Sequence, residues 1–150
     1  MMGQTQRPTL RLATYNVEWF NALFDDADRL LDDAEPSARY GITRSQQLAA
    51  LRHVFRALDA DGILVIEAPD TGSRRSTTRA LERFAASAGL RASRAIIGYP
   101  SETEQEIAFL YDPARLSVRH DPKGDPATTH GSANAPRFDT AFRYDLDAYG

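Results

Sequence analysis

The sequence predicts an α/β fold, in which short apolar strands alternate with amphipathic helices along the chain. From Thr9, the stretch TLRLATYNV mixes alternation with β-branched and aromatic residues, which is typical of a strand. An amphipathic helix is predicted from Thr43, a buried strand over 63–66 and a second helix over 74–88. This order of strand, helix, strand and helix is the pattern of α/β proteins.

The two predicted helices carry clear signals at their ends. Thr43 is suited to cap the first helix, and Gln46 three residues later completes a capping box. We expect the first helix to end at Asp61-Gly62 and the second to end before Gly89. The residues expected on the inner faces are Leu48, Leu51, Phe55 and Leu58 of the first helix and Leu81, Phe84, Ala85 and Ala88 of the second.

Four further segments complete the predicted order of elements. The acidic segment 24–36 predicts a short helix that ends before Pro36. Apolar stretches predict strands at 91–99 and 106–112, and a short strand at 116–118. The sheet is therefore expected to contain several strands after the second helix.

The two ends of the chain differ from its centre. We expect a flexible tail over 1–8 and one domain over 9–150. Residues 120–136 are rich in Pro, Gly, Thr and Ala and predict a loop, whereas the clean alternation of 138–146 predicts a half-buried strand. Because the chain stops at Gly150 just after this strand, the domain is expected to be incomplete at its C-terminus.

The composition narrows the classes of function. With 18 basic and 21 acidic residues, the net charge of −3 gives no general electrostatic attraction for a polyanion. The absence of cysteine excludes disulfides, thiolate metal sites and cysteine nucleophiles. No apolar run is long enough to span a bilayer, so we expect a cytoplasmic protein without a membrane partner.

Two polar residues follow predicted neighbouring strands. Asn16 ends the first strand, and Glu67 directly follows the apolar run 63–66. Each has an ordinary explanation, since Asn16 suits a strand-end hydrogen bond and Glu67 can enter solvent or pair with an arginine. Strands separated by one helix often lie side by side, which would bring both side chains to one edge. One carboxylate and one amide give few protein ligands. Such a site suits Mg²⁺, which keeps several waters and takes its other ligands from a substrate phosphate.

Three motifs around these residues resemble the endonuclease/exonuclease/phosphatase superfamily. TYNVEWF at 14–20 is similar to its opening motif, ILVIE at 63–67 to its second motif, and EIAFLYDPARL at 106–116 to a later strand. The resemblance implies the N-terminal half of a DNase I-like fold, a four-layer α/β/β/α sandwich. It also implies hydrolysis of a phosphoester with Mg²⁺ or Mn²⁺, held by Asn16 and Glu67.

The sequence departs from the family pattern in two ways. Ile66 stands where the family commonly has glutamine before the metal-binding glutamate. The later motifs, which carry an aspartate-asparagine pair and an aspartate-histidine pair, are not visible, and His53, His120 and His130 do not fit them. We therefore expect no catalytic residue within this chain, which would be an inactive, truncated form of the enzyme.

Two charged clusters and the binding partners each allow two interpretations. Arg74 and Arg75 could contact a substrate phosphate, although a solvated helix face shared with Arg79 and Arg83 is the commoner explanation. The acidic run within 24–36 lacks the spacing of a calcium loop and favours a solvated acidic face. The expected partner is a phosphate ester, nucleic acid included. The alternative is an inactive remnant that acts as a binding module and associates through an uncovered sheet.

Overall fold

The computed structural model describes residues 9–39, 41–72, 74–98 and 106–121. They form a mixed four-stranded sheet with two α-helices, which confirms the predicted α/β class. The predictions for 1–8, for 138–146 and for most of 120–136 lie outside the described residues. The elements are β1 (Leu12–Asn16), a 3-10 helix (Phe20–Leu23), α1 (Arg44–Leu58), β2 (Gly62–Ala68), α2 (Thr77–Ala88), β3 (Arg94–Ile97) and β4 (Glu106–Tyr111).

The strand order in the sheet is β1-β2-β4-β3. β1 runs parallel to β2, with Leu12 opposite Gly62 and Asn16 opposite Ile66, whereas β4 is antiparallel to both β2 and β3. The prediction that the strands before and after α1 lie side by side is confirmed. Their carboxyl ends therefore meet at one edge of the sheet.

One face of the sheet is closed by the helices. Alternate residues of β2 and β4, among them Ile63, Val65 and Leu110, join the helices in a single apolar core. The rings of Phe20, Phe55 and Phe84 meet in this core. The Phe84 ring makes edge-to-face contacts with the other two, with centroids 5.0 Å apart in each pair. The helix faces predicted from periodicity supply Leu48, Leu51, Phe55, Leu81, Phe84 and Ala85 to this core.

The helix ends agree with most of the predicted signals. The Thr43 hydroxyl accepts a hydrogen bond from Gln46 N at 3.2 Å, and the Gln46 side chain accepts from Thr43 N at 2.9 Å, so the capping box is confirmed. α1 ends at Leu58, earlier than predicted, because Asp59 adopts a left-handed conformation with φ 41°. α2 begins only at Thr77, after its capping residue Ser76. Among the described helices, none has the length and apolar character to cross a membrane.

Two predicted elements are wrong. Residues 24–36 form turns and isolated bridges rather than a helix, because acidic side chains bind backbone amides there: Asp25 accepts from Ala27 N and Arg29 N. Residues 116–118 form no strand, since the Asp112 carbonyl and side chain accept from the amides just beyond Pro113 and turn the chain.

An ion cluster holds the amino ends of β1 and β2 together. The buried Asp61 carboxylate accepts from Arg11 N at 2.6 Å, pairs with Arg91, and lies 3.3 Å from Arg115 Nε. The hydrogen bond from Arg11 N, and then that from Arg91, hold the pKa of Asp61 below its usual value. Because Arg11 directly precedes β1, this contact joins the starts of the two parallel strands.

We predict that Asp61→Asn lowers the free energy of unfolding at neutral pH. A carboxyl whose folded pKa is depressed contributes stability above its usual pKa of 3.8 and loses it as the pH falls through the folded value. The difference in free energy of unfolding between wild type and variant should therefore become smaller in acid. Urea denaturation at pH 7 and near pH 3 would measure this difference. Asp26→Asn, an exposed carboxyl, is the control. A difference that stays constant with pH would contradict the role of the Asp61 charge.

Candidate metal site

Asn16 and Glu67 meet at the carboxyl edge of the sheet. Asn16 is the last residue of β1 and lies opposite Ile66, so Glu67 is one residue further along the neighbouring strand. Asn16 Nδ2 donates a hydrogen bond to Glu67 Oε1 at 3.3 Å. Asn16 is exposed and Glu67 is half-buried, so the pair is open to solvent. The structure thus brings together the two side chains that the sequence singled out.

The backbone of Glu67 is unusual. Its φ of 58° lies in the left-handed region, where an L-residue costs about 1–2 kcal/mol. The register between β2 and β4 shifts here, with Ile66 opposite Ile107 and Ala68 opposite Glu106, so Glu67 forms a β-bulge with no residue opposite it. Bulges redirect a side chain, and strained backbone is concentrated at functional sites. The bulge therefore gives Glu67 a conformational cost that calls for an explanation.

The donor chemistry of the pair fits a hard divalent cation. Glu67 offers carboxylate oxygens, and the Asn16 amide carries both a donor nitrogen and an acceptor oxygen. Within the described ranges, no group of three or more His, Cys, Asp or Glu side chains is placed to hold a metal. A site with one carboxylate and one amide suits Mg²⁺, which keeps several waters and takes further ligands from a phosphate.

The segment after β2 is tied to the segment after β1 by side chains that the sequence did not reveal. Asn21, in the 3-10 helix, accepts from Asp70 N through Oδ1 at 3.0 Å. Asn21 and Asp70 lie 49 residues apart, and no local pattern predicts such a pair. This contact positions the two chain segments that leave the site.

The two arginines singled out for phosphate have different surroundings. Arg75 Nε donates to the Asp70 carbonyl at 3.0 Å, and its Nη1 donates to the carbonyls of Asn21 and Phe24, each at 3.3 Å. Arg74 is exposed. Both precede α2, whereas Arg79 and Arg83 lie on it and bind the loop around Asp28. Arg75 therefore holds the loop before α2 against the backbone of Asn21 and Phe24, whereas the Arg74 side chain is exposed to solvent.

The acidic segment is only in part the solvated face that its composition predicted, since Asp26, Asp32 and Glu35 are exposed and Asp28 is not. Asp28 is only 2% exposed and accepts from Ser76 N and from Arg79 Nε, the latter at 2.8 Å. Burial alone would raise the pKa of Asp28, but the hydrogen bonds from Arg79 and Ser76 outweigh it and lower the pKa. The other paired carboxylates are Asp25 with Arg29, Asp32 with Arg52 and Asp33 with Arg44. Arginines therefore already balance the charge of these carboxylates.

The described histidines lie where the sequence placed them. His53 is exposed within α1, and His120 is exposed beyond β4. His130 lies outside the described residues. Neither described histidine is on the strand ends that carry Asn16 and Glu67.

Comparison with known proteins adds no relative. No family model, no curated protein and no solved structure matches the chain.

We predict that Glu67→Gly is more stable than Glu67→Ala by about 0.5–1 kcal/mol. Both variants remove the carboxylate and its hydrogen bond to Asn16, so they differ mainly in how well they tolerate φ 58° and in backbone entropy. Glycine accepts that conformation, which outweighs its larger loss of backbone entropy on folding. Urea denaturation compares the two variants directly. Equal stability, or a more stable Glu67→Ala, would show that the left-handed conformation is not under strain.

Proposed function

We propose that this chain is the N-terminal half of a divalent-metal-dependent phosphoesterase of the endonuclease/exonuclease/phosphatase type, in which Asn16 and Glu67 hold Mg²⁺ or Mn²⁺. The observation that carries the proposal is the 3.3 Å contact between these side chains at the carboxyl ends of adjacent parallel strands. Ligands gather at such strand ends in α/β sheets. The left-handed bulge at Glu67 supports the same assignment, because strained backbone is concentrated at functional sites.

The residues of this chain have distinct roles under the proposal. Glu67 supplies the charge that attracts the cation, and Asn16 supplies a neutral oxygen when its amide turns from the hydrogen bond that it now donates. When bound, the metal polarises a phosphoryl oxygen and stabilises the charge that develops in hydrolysis. Arg74, exposed just before α2, is the residue proposed to contact the substrate phosphate, whereas Arg75 binds backbone carbonyls.

The proposal extends to the fold. The helices and one sheet make up two layers of a four-layer sandwich, and the second face of the sheet is apolar, as a buried layer requires. Leu12 is 63% exposed and Ile107 50% exposed on that face. The Phe109 ring lies over Gly62, where a Cβ would collide with it. In the described part of the chain, no element covers these residues.

The same face favours a second candidate function, an inactive module that associates with another protein. Leu64, Ile66 and Phe109 alternate with core residues of their strands, so they belong to the face opposite the helices. Together with the exposed side chains of Leu12 and Ile107 they make this face largely apolar, and apolar surface patches mark interaction sites. This function needs neither the metal nor turnover.

We predict that the chain binds Mg²⁺ and that Glu67→Ala weakens this binding by about tenfold or more, equivalent to about 1.4 kcal/mol. The loss follows because Glu67 is the charged member of the pair. Isothermal titration calorimetry measures it, with Asp26→Ala as a control that removes an exposed carboxylate elsewhere. Equal affinity in wild type and Glu67→Ala, or no binding in either, would refute the proposed metal site.

We predict that the wild-type chain self-associates as its concentration rises and that Ile107→Lys suppresses the association. A lysine at this half-exposed position puts a charge in the middle of the apolar face, which must be desolvated if the face is covered. Size-exclusion chromatography with light scattering gives the mass. Ala49→Lys, on the exposed side of α1, places the same charge elsewhere. A wild-type chain that stays monomeric throughout would count against the second candidate.

A further inference from the structure

The outer edge of β1, called the open edge here, has no partner among the described strands. β1 pairs with β2 alone among the described strands, and Val17 N donates to the Ile66 carbonyl at 2.9 Å, which shows which residues face β2. Successive residues of a strand direct their backbone groups to opposite sides, so Thr14 and Asn16 present N–H and C=O to the open edge. Within the described ranges, no backbone group pairs with this edge. Such a row of donors and acceptors is a template for another strand.

A groove runs beside this edge. Its volume is about 310 Å³, and it lies between the carboxyl end of β1 and the side of α1. The helix contributes a stripe of residues spaced by three and four positions, which is one face of a helix. The principal lining residues are Tyr15 and Asn16 of β1 with Gln47, Ala50, Leu51 and Val54 of α1. Ligand pockets begin at about 300 Å³, so the groove suits one large side chain rather than a whole ligand.

Gln47 lines this groove and carries an unsatisfied, buried acceptor. Its side chain is only 3% exposed, and its Oε1 accepts no hydrogen bond in the described structure. Most buried polar atoms have a partner, and an unpaired buried acceptor costs free energy that a ligand donor would recover. The charged residues of the groove, Glu18 and Arg39, neutralise each other at 2.7 Å. The groove therefore selects an uncharged group that carries a hydrogen-bond donor.

We propose that β1 and α1 form a docking groove for an extended peptide of a partner protein, which adds as a strand to the open edge and inserts an aromatic side chain with an N–H or O–H donor. Strand addition gives affinity through the backbone, and the side chain in the pocket gives specificity. Tryptophan and tyrosine combine an apolar body with a polar tip, which matches apolar walls around the Gln47 amide. This role goes beyond the phosphoesterase proposal and needs no metal.

A second copy of the chain satisfies the requirements less well. Two β1 edges could pair their backbones, but the exposed side chains of β1 near the edge are Leu12 and Thr14, and neither is an aromatic donor. Trp19 carries an indole and is exposed, yet its φ of 62° places it in a turn rather than on an extended segment. A foreign strand therefore fits better than self-pairing.

The test titrates the ¹⁵N-labelled full chain with the blocked pentapeptide acetyl-Thr-Val-Trp-Val-Thr-amide in EDTA. We expect shifts concentrated at Thr14, Asn16, Ala50 and Val54. Replacing the peptide tryptophan by phenylalanine should weaken binding by about three- to tenfold, the value of one hydrogen bond. EDTA separates this result from the metal proposal, so either proposal can fail alone. Absence of saturable shifts at these positions would overturn the docking groove.

Two protein variants examine the groove itself. Gln47→Leu should remove the preference for tryptophan over phenylalanine while leaving the free chain at least as stable, because an unpaired acceptor is lost. His53→Leu, exposed on the same helix, is the matched control and should change neither property. A Gln47→Leu chain that is destabilised, or that keeps the preference, would overturn the role of this amide. Ala50→Trp fills the groove and should abolish binding.

The peptide itself tests strand addition. N-methylation of the backbone amides that face β1 should weaken binding by about three- to tenfold for each donor removed, whereas methylation of the amides that face away should not. Equal effects of the two sets would show that the peptide does not extend the sheet. Light scattering with the Ile107→Lys chain, which suppresses association through the apolar face, should give a one-to-one complex during the titration. A chain that dimerises without peptide and shows the same shifts at Thr14 and Asn16 would assign the edge to a second copy instead.

Discussion

The parallel pairing of β1 with β2 is the constraint on which the candidate site depends. Asp61 fixes the pairing at one end by accepting from Arg11 N, and Val17 N fixes it at the other by donating to Ile66. Between these contacts the register is continuous, so the two strands must end at the same level. A slip of one residue would turn every side chain of β1 to the opposite face and separate Asn16 from Glu67.

The bulge at Glu67 is held from both sides. Ile66 and Ala68 keep their antiparallel partners on β4, and β1 holds Ile66 from the opposite side. A left-handed residue persists only where the surrounding structure determines it, and three strands do so here. The strain is therefore a consequence of placing Glu67 on the edge rather than in the ladder. The same arrangement limits how far the carboxylate can move from the Asn16 amide.

Local patterns predicted the parts of the fold that local forces decide. The capping box at Thr43, the helix faces and the buried strand over 63–66 followed from local sequence patterns. The meeting of Asn16 with Glu67 followed from the expectation that the two strands are neighbours. The helix predicted over 24–36 was wrong because its carboxylates accept hydrogen bonds instead of lying in solvent. Asp28, for example, is buried against Arg79. Distant contacts such as this one, and the positive φ of Glu67, leave no trace in the sequence pattern.

Ile66 connects the candidate site to the open face of the sheet. It lies opposite Asn16 and alternates with the core residue Val65, so it extends the apolar surface to the edge that carries Glu67. A glutamine at this position, common in the family that the motifs resemble, would have made the edge polar. An element that covers this face would also exclude water beside the Asn16–Glu67 pair, and charges interact more strongly where the dielectric is low. Under the proposed metal site, coverage of the face would therefore change the affinity for a cation, with Ile66 at the boundary between the two.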